Sequence, residues 1–206
     1  LVPPGTPGQC ITSELADELG PIASELREVQ AEKELDDLRV DLPVGRFRLQ
    51  GTLANIYPRA LLRFSYQRFN ENRLLQLWIE HLVLCAMNAI GYPSSSQLAC
   101  RKPKGSGMET RQLTEVTGAQ ELLEELLELY QVGQNEPLLL FPRTSAAYLQ
   151  QLKKTGDESA EAVDTALRVA RRTWQEKSGY MEPECETPVF SLLFRDADPL
   201  AEDYPE

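Results

Sequence analysis

Six lysines stand in the sequence, and the residue two positions before each decides whether the chain can build a common kind of metal-assisted hydrolytic site. A Mg²⁺ ion that activates water and steadies a leaving oxygen takes hard oxygen ligands. These are usually an Asp on one strand and an acid on the next, with a Lys two residues after that acid. Reading back from Lys33, Lys102, Lys104, Lys153, Lys154 and Lys177 gives Ala31, Cys100, Lys102, Gln151, Leu152 and Gln175, so no acid-x-Lys occurs. On the strand pair read below, Ala54 stands where the first ligand belongs, and Arg63-Phe64-Ser65 replaces the acid-x-Lys. Alanine cannot bind a metal. Glu109-x-Arg111 is the nearest relic of the pattern; Glu109 and Glu115 are the acids a displaced metal site would have to use.

The single histidine, His81, makes an i, i+4 pair with Cys85. A zinc site wants four ligands, and Cys10, Cys100 and Cys185 show no CxxC spacing, so the pair reads as buried core. There is no Gly-x-Ser-x-Gly elbow and no GxxxxGK[ST] phosphate loop, which leaves no esterase-type nucleophile and no ATP hydrolysis in this segment. Four scattered cysteines fit free thiols in a reducing cytosol. We expect neither metal nor cofactor.

The elements that must position these residues lie between 45 and 116. Gly45 to Tyr57 reads as a strand, with Phe47, Leu49 and Leu53 alternating against Arg46, Arg48 and Thr52. Pro58 and Arg59 turn into a more apolar central strand, Ala60 to Tyr66. A long apolar helix follows, capped by Asn70 or Asn72 and carrying Leu74, Leu75, Trp78, Ile79, Leu82, Cys85 and Ala86, with Trp78 expected in the core. Gln97 to Lys102 and Glu109 to Val116 read as a hairpin about KPKGSG. Thr117 and Gln120 form a capping box for a helix striped by Leu122, Leu123, Leu126, Leu127 and Tyr130 and ended by Gly133. Thr144 or Ser145 opens the next helix, and Asp157 a last one with Ala160, Val163, Leu167, Ala170 and Trp174 on one face. Pro3, Pro4 and Pro7 mark an extended lead-in, followed from about Thr12 by a helix with Leu15, Leu19, Ile22, Leu26 and Val29 inward and Pro21 as a kink or break.

The formal net charge of -11 argues against a chain that coats nucleic acid, since such affinity comes from many Lys and Arg releasing counterions. The charge is uneven. Residues 1–41 hold ten acids against three bases, and residues 176–206 nine against two. Residues 45–75 reverse this, with Arg46, Arg48, Arg59, Arg63, Arg68 and Arg73 against Glu71 alone, and Arg101, Lys102, Lys104 and Arg111 follow against Glu109. These stretches line a DNA channel or an acidic partner surface, or they are ordinary solvated arginines between acidic helices. Tyr66 and Phe69 beside Arg68 suit base stacking or the core.

The run LLRFSYQRFNENRLLQLWIEHLVLCA, with EPLLLFPRTSAAYLQQL after it, resembles the C-terminal domain of RecC, the gamma subunit of exodeoxyribonuclease V, the RecBCD helicase-nuclease. The resemblance covers roughly Leu42 to Phe194. It implies an α/β fold with a degenerate PD-(D/E)xK nuclease-like core, a mixed sheet flanked by helices, whose active-site positions Ala54, Arg63 and Ser65 are inert. It further implies a non-catalytic docking domain that contacts RecB-type and RecD-type helicase/nuclease subunits and meets DNA through the assembled complex. Arg46, Arg48, Arg63, Arg68, Arg101, Lys102 and Lys104 are then the candidate DNA or partner contacts. An active metal-dependent nuclease with displaced ligands is the alternative.

The expected organisation is a linker and acidic helix over 1–41, the nuclease-like domain over 42–195 and a truncated tail over 196–206. The start LVPPGTPGQC and the abrupt end suggest a piece of a longer subunit. No apolar run approaches the roughly 20 residues that span a bilayer, so a cytoplasmic protein without membrane partners is expected.

Overall fold

The computed structural model describes residues 5–29, 32–102, 107–156, 159–178, 182–195 and 197–201. Two compact units divide the chain, Leu1–Glu128 and Leu129–Glu206.

The first unit opens with helix α1 (Thr6–Val29), which starts six residues before Thr12 and runs unbroken through Pro21. The side chains of Leu15, Leu19, Ile22, Leu26 and Val29 lie outside the described residues. A strand that the sequence reading did not place follows. Leu38, Val40, Leu42 and Val44 alternate with Arg39, Asp41 and Pro43, which gives an extended chain one apolar side; these residues form β1 (Leu38–Val44).

Strand β2 (Phe47–Leu53) returns antiparallel to β1, from Val44 opposite Phe47 to Leu38 opposite Leu53. Gly45 turns between them with a φ of +52°, where a Cβ would also collide with the Glu124 side chain. The long strand expected from Gly45 to Tyr57 is thus two pieces. The chain leaves β2 at Ala54 and Asn55, whose φ is +58°, and re-enters as β3 (Ile56–Tyr57) in a different sheet.

Pro58 and Arg59 make the expected turn into the central strand β4 (Ala60–Arg68), which β3 meets antiparallel. Helix α2 (Glu71–Met87) follows. The Asn70 side-chain oxygen Oδ1 accepts from the Arg73 amide at 3.0 Å, and Asn88 closes the helix in the left-handed region. The helix is the crossover that lets β5 (Ser96–Arg101) lie parallel to β4, with Leu61 opposite Ser96 and Ser65 opposite Cys100. Strand β6 (Met108–Leu113) completes an antiparallel hairpin with β5. The order β3-β4-β5-β6 is a mixed sheet, so the unit is α/β, as the sequence implied.

Leu77 and Leu84 of α2 join Ile56, Leu61, Leu98 and Cys100 from the mixed sheet with Leu38, Val40 and Leu53 from the β1–β2 pair in one core. Each fully buried leucine contributes on the order of 1.5–3 kcal/mol. Leu82 meets Val44, Ala119 and Leu123 in a second cluster, formed with α3 (Ala119–Gly133). Trp78 is only half-buried there, because its neighbours Leu77 and His81 take the inward positions. Gln120 completes no capping box; its side-chain amide donates to the Pro43 carbonyl at 3.0 Å.

The second unit holds α4 (Pro142–Thr155), α5 (Ala160–Gln175) and α6 (Pro188–Phe194). Pro142, not Thr144 or Ser145, opens α4. Its first amides are satisfied by Glu184, which is buried in a 3-10 turn and whose carboxylate accepts from the backbone N–H groups of Arg143 at 3.1 Å and Thr144 at 2.7 Å. Asp157 lies outside the described residues; Ser159 caps α5. The buried stripe of α5 is Ala162, Ala166, Ala170 and Trp174, one step off the stripe expected through Val163 and Leu167. Trp174, Phe141, Phe190 and Phe194 form an aromatic cluster with ring centroids 4.4 to 6.1 Å apart.

Candidate partner and nucleic-acid interface

Arg63 lies on the central strand β4. Its neighbours Leu61 and Leu98 pack under α2, and its guanidinium follows them to that side. Nε lies 2.6 Å from a Glu80 carboxylate oxygen on α2, while Nη1 donates to the carbonyls of Ala54 at 2.7 Å and Leu62 at 3.1 Å. Oxygens from the break after β2, from β4 and from α2 thus converge on one cation. Ala54, through its backbone carbonyl, and Arg63 therefore meet in space. Ser65 lies two residues along β4, where its hydroxyl accepts from the Gln67 amide at 3.2 Å.

The candidate cations occupy three places. Arg46 lies in the turn between β1 and β2 and Arg48 on β2, outside the mixed sheet. Arg46 lies 5.1 Å over the Phe47 ring. Arg48 donates twice to Asp41, at 2.6 and 2.7 Å, and this bidentate bond is the main reason the Asp41 carboxyl titrates below its ordinary range. Arg63 is the second place. The third gathers Arg68, Arg101 and Lys102 where β4 and β5 end together, with Arg68 opposite Arg101. Arg68 donates to the Lys102 carbonyl at 3.1 Å, and Arg101 lies 4.9 Å over Tyr66. Lys104, in the turn beyond, lies outside the described residues.

Tyr66 packs on Ala99 and Met108, and Phe69 on the main core with Arg111 over its ring at 5.2 Å. The exposed aromatic of β4 is Phe64, which alternation places on the face opposite Arg63. Sequence reasoning missed it, along with Glu80 and Asp41 as ion-pair partners, because each sits within a run that reads as core or as solvated acid.

His81 is fully buried. The Thr114 carbonyl, 2.9 Å away, can only accept, so Nε2 carries the proton and Nδ1 accepts from the Ser96 hydroxyl at 2.9 Å. Burial lowers its pKa from the ordinary 6.5, partly offset by the Thr114 bond. Cys85 lies 3.6 Å from Nε2, and burial raises its thiol and that of Cys100, which makes both poor nucleophiles. All four cysteines are free. Glu109 is ion-paired with Arg111, and Glu115 is exposed. Among the described residues, no group of three or more His, Cys, Asp or Glu could hold a metal ion, and no helix is long and apolar enough to cross a membrane.

Fold and site together define an α/β domain with a helix-covered mixed sheet, whose central strand carries an arginine tied to its covering helix. The chain belongs to the RecC C-terminal domain family, whose model matches residues 1–153. It is 31% identical over 161 residues to the RecBCD enzyme subunit RecC of Mycolicibacterium smegmatis, covering 76% of this chain and 14% of that protein. To the RecBCD enzyme subunit RecC of Escherichia coli it is 29% identical over 134 residues, 65% of this chain and 11% of that one. The chain therefore corresponds to a small part of the length of these relatives.

Proposed function

We propose that the chain is a non-catalytic docking domain of a RecC-type subunit, built on a nuclease-like core of the PD-(D/E)xK type that no longer binds metal. In this reading it acts in the cytoplasm, contacts RecB-type and RecD-type subunits of a helicase-nuclease, and helps guide DNA strands during double-strand-break repair.

The observation that supports it best is the Arg63 cluster. The Arg63 guanidinium donates to the carbonyl oxygens of Ala54 and Leu62 and lies against the Glu80 carboxylate, so a cation already stands among these oxygens, and a guanidinium cannot activate water as a Lewis acid. The pairing of Glu109 with Arg111 disfavours the displaced-ligand alternative in the same way. Arg68, Arg101 and Lys102, at one end of the mixed sheet, are the cations best grouped to meet a phosphate backbone.

The test is a pull-down with the full-length subunit carrying this chain as bait and the RecB-type and RecD-type subunits of its organism as prey, at two salt concentrations. The reading expects capture that weakens with salt. Loss of capture in the full-length subunit would overturn docking. Mn²⁺ binding abolished by Glu109→Gln would revive the nuclease.

A further inference from the structure

The face of the mixed sheet turned away from α2 has two halves. Tyr57 on β3 and Ala60 and Leu62 at the start of β4 are buried. Further along, Phe64 stands 48% exposed in the middle of the central strand. Its neighbours across the sheet in register are Ala99 and Thr110, whose side chains are too short to cover a phenyl ring. Two residues on, Tyr66 packs on Ala99 and Met108, with the Arg101 guanidinium 4.9 Å over its ring. Arg68 lies opposite Arg101 in register, Lys102 follows, and both Arg68 and Lys102 are exposed. At the rise of an extended strand, Phe64 to Arg68 spans about 13 Å. Among the described residues of these four strands the only acid is Glu109, which register places with Cys100 on the α2 side, so this face carries none.

A single exposed phenylalanine needs no explanation, but the groups around this one select what would cover it. An apolar protein surface laid on Phe64 would press on Arg68, Arg101 and Lys102 as well, and would cost their desolvation. A nucleotide brings a flat apolar ring and an anion together. We infer that this half of the sheet is a stacking platform for single-stranded DNA, with a base on Phe64 and the adjoining phosphates on Arg68 and Lys102. In a duplex both sides of a base are taken by its neighbours, so the Phe64 ring finds a free base face in a single strand. Arg101, held flat on Tyr66, continues the platform toward the sheet end. The inference rests on the strand-guiding part of the reading above and adds the form of the DNA and the residue that holds it.

The test uses the full-length subunit carrying this chain, assembled with the RecB-type and RecD-type subunits of its organism. The probe is a forked DNA with photoreactive 5-iododeoxyuridine either in its single-stranded arms or in its duplex stem. The expected result is a crosslink from an arm to Phe64 or Tyr66, mapped by peptide mass spectrometry. Phe64→Ala should lower the yield on this chain about tenfold, whereas Phe64→Tyr should keep it. Arg68→Gln combined with Lys102→Gln should lower the Phe64 yield several-fold and flatten its fall with salt, while the urea midpoint of each variant stays native. A stem that crosslinks as well as the arms, crosslinks confined to other residues, none at all, or a Phe64 yield that the double variant leaves unchanged each overturns the platform. Partner subunits that fail to co-purify overturn docking instead, and the same crosslinks are then scored on the full-length subunit alone.

Discussion

Arg63 on the central strand and Glu80 on the helix above it meet at 2.6 Å, with side chains only 26% and 34% exposed. The pair does in this fold what a buried apolar contact does elsewhere: it fixes α2 over β4. Arg63→Ala leaves a carboxylate and two carbonyls without their cation, and Glu80→Ala leaves the guanidinium with its two carbonyls but no counter-charge. Each should cost about 2 kcal/mol in chemical denaturation. The double variant should cost clearly less than the sum, and simple additivity would show that the two groups act independently.

His81 makes stability depend on pH. Its folded pKa lies below the ordinary 6.5, so the unfolded chain takes up a proton at a pH where the folded one does not. The stabilisation is therefore full above about 6.5 and declines as pH falls from there through the folded pKa. Urea midpoints should drop between about pH 7 and about pH 5.5, and more steeply for the native chain than for His81→Asn. Equal slopes would place the titration elsewhere.

The two tryptophans should differ. Trp174 is 2% exposed within the aromatic cluster, whereas Trp78 is half-buried. Trp174→Ala should cost about 3–5 kcal/mol and Trp78→Ala distinctly less. Thermal unfolding followed by circular dichroism reads both, and the reverse order would contradict the packing described.

Glu184 replaces an N-cap that the α4 sequence lacks, since Phe141 at that position offers no acceptor. Glu184→Ala should destabilise the second unit by about 2 kcal/mol. Glu184→Gln, which keeps one acceptor, should cost less, and equal losses would mean that Glu184 acts through packing alone.

Local signals made part of this structure legible. Asn70 before an apolar run announced α2, and KPKGSG between alternating segments announced the β5–β6 hairpin. Strand β1 was equally periodic, but Asp36, Asp37 and Asp41 merged it with the acidic helix before it. The break at Ala54 and Asn55 carries no glycine or proline, and whether a strand changes sheets there depends on partners distant in sequence. In α5, size rather than hydropathy set the register: Ala162, Ala166 and Ala170 face inward because α4 packs against α5, while Leu167 stays outside. For the site, the missing acids could be read directly, whereas the arginines scattered over three places because a linear charge run does not say which sheet each strand joins.

The parallel pairing of β4 with β5 also constrains how the chain reaches this fold. The hairpins β1–β2, β3–β4 and β5–β6 close between neighbours in sequence, but β4 meets β5 only across an interval that includes the seventeen residues of α2. Closing that longer loop costs entropy before any ladder bond repays it, so the β4–β5 ladder is expected to close after the local elements. Pulse-labelled amide exchange during refolding should protect α2 and the three hairpins first and the β4–β5 ladder last. The Arg63 to Glu80 bond would then be the latch that records completion.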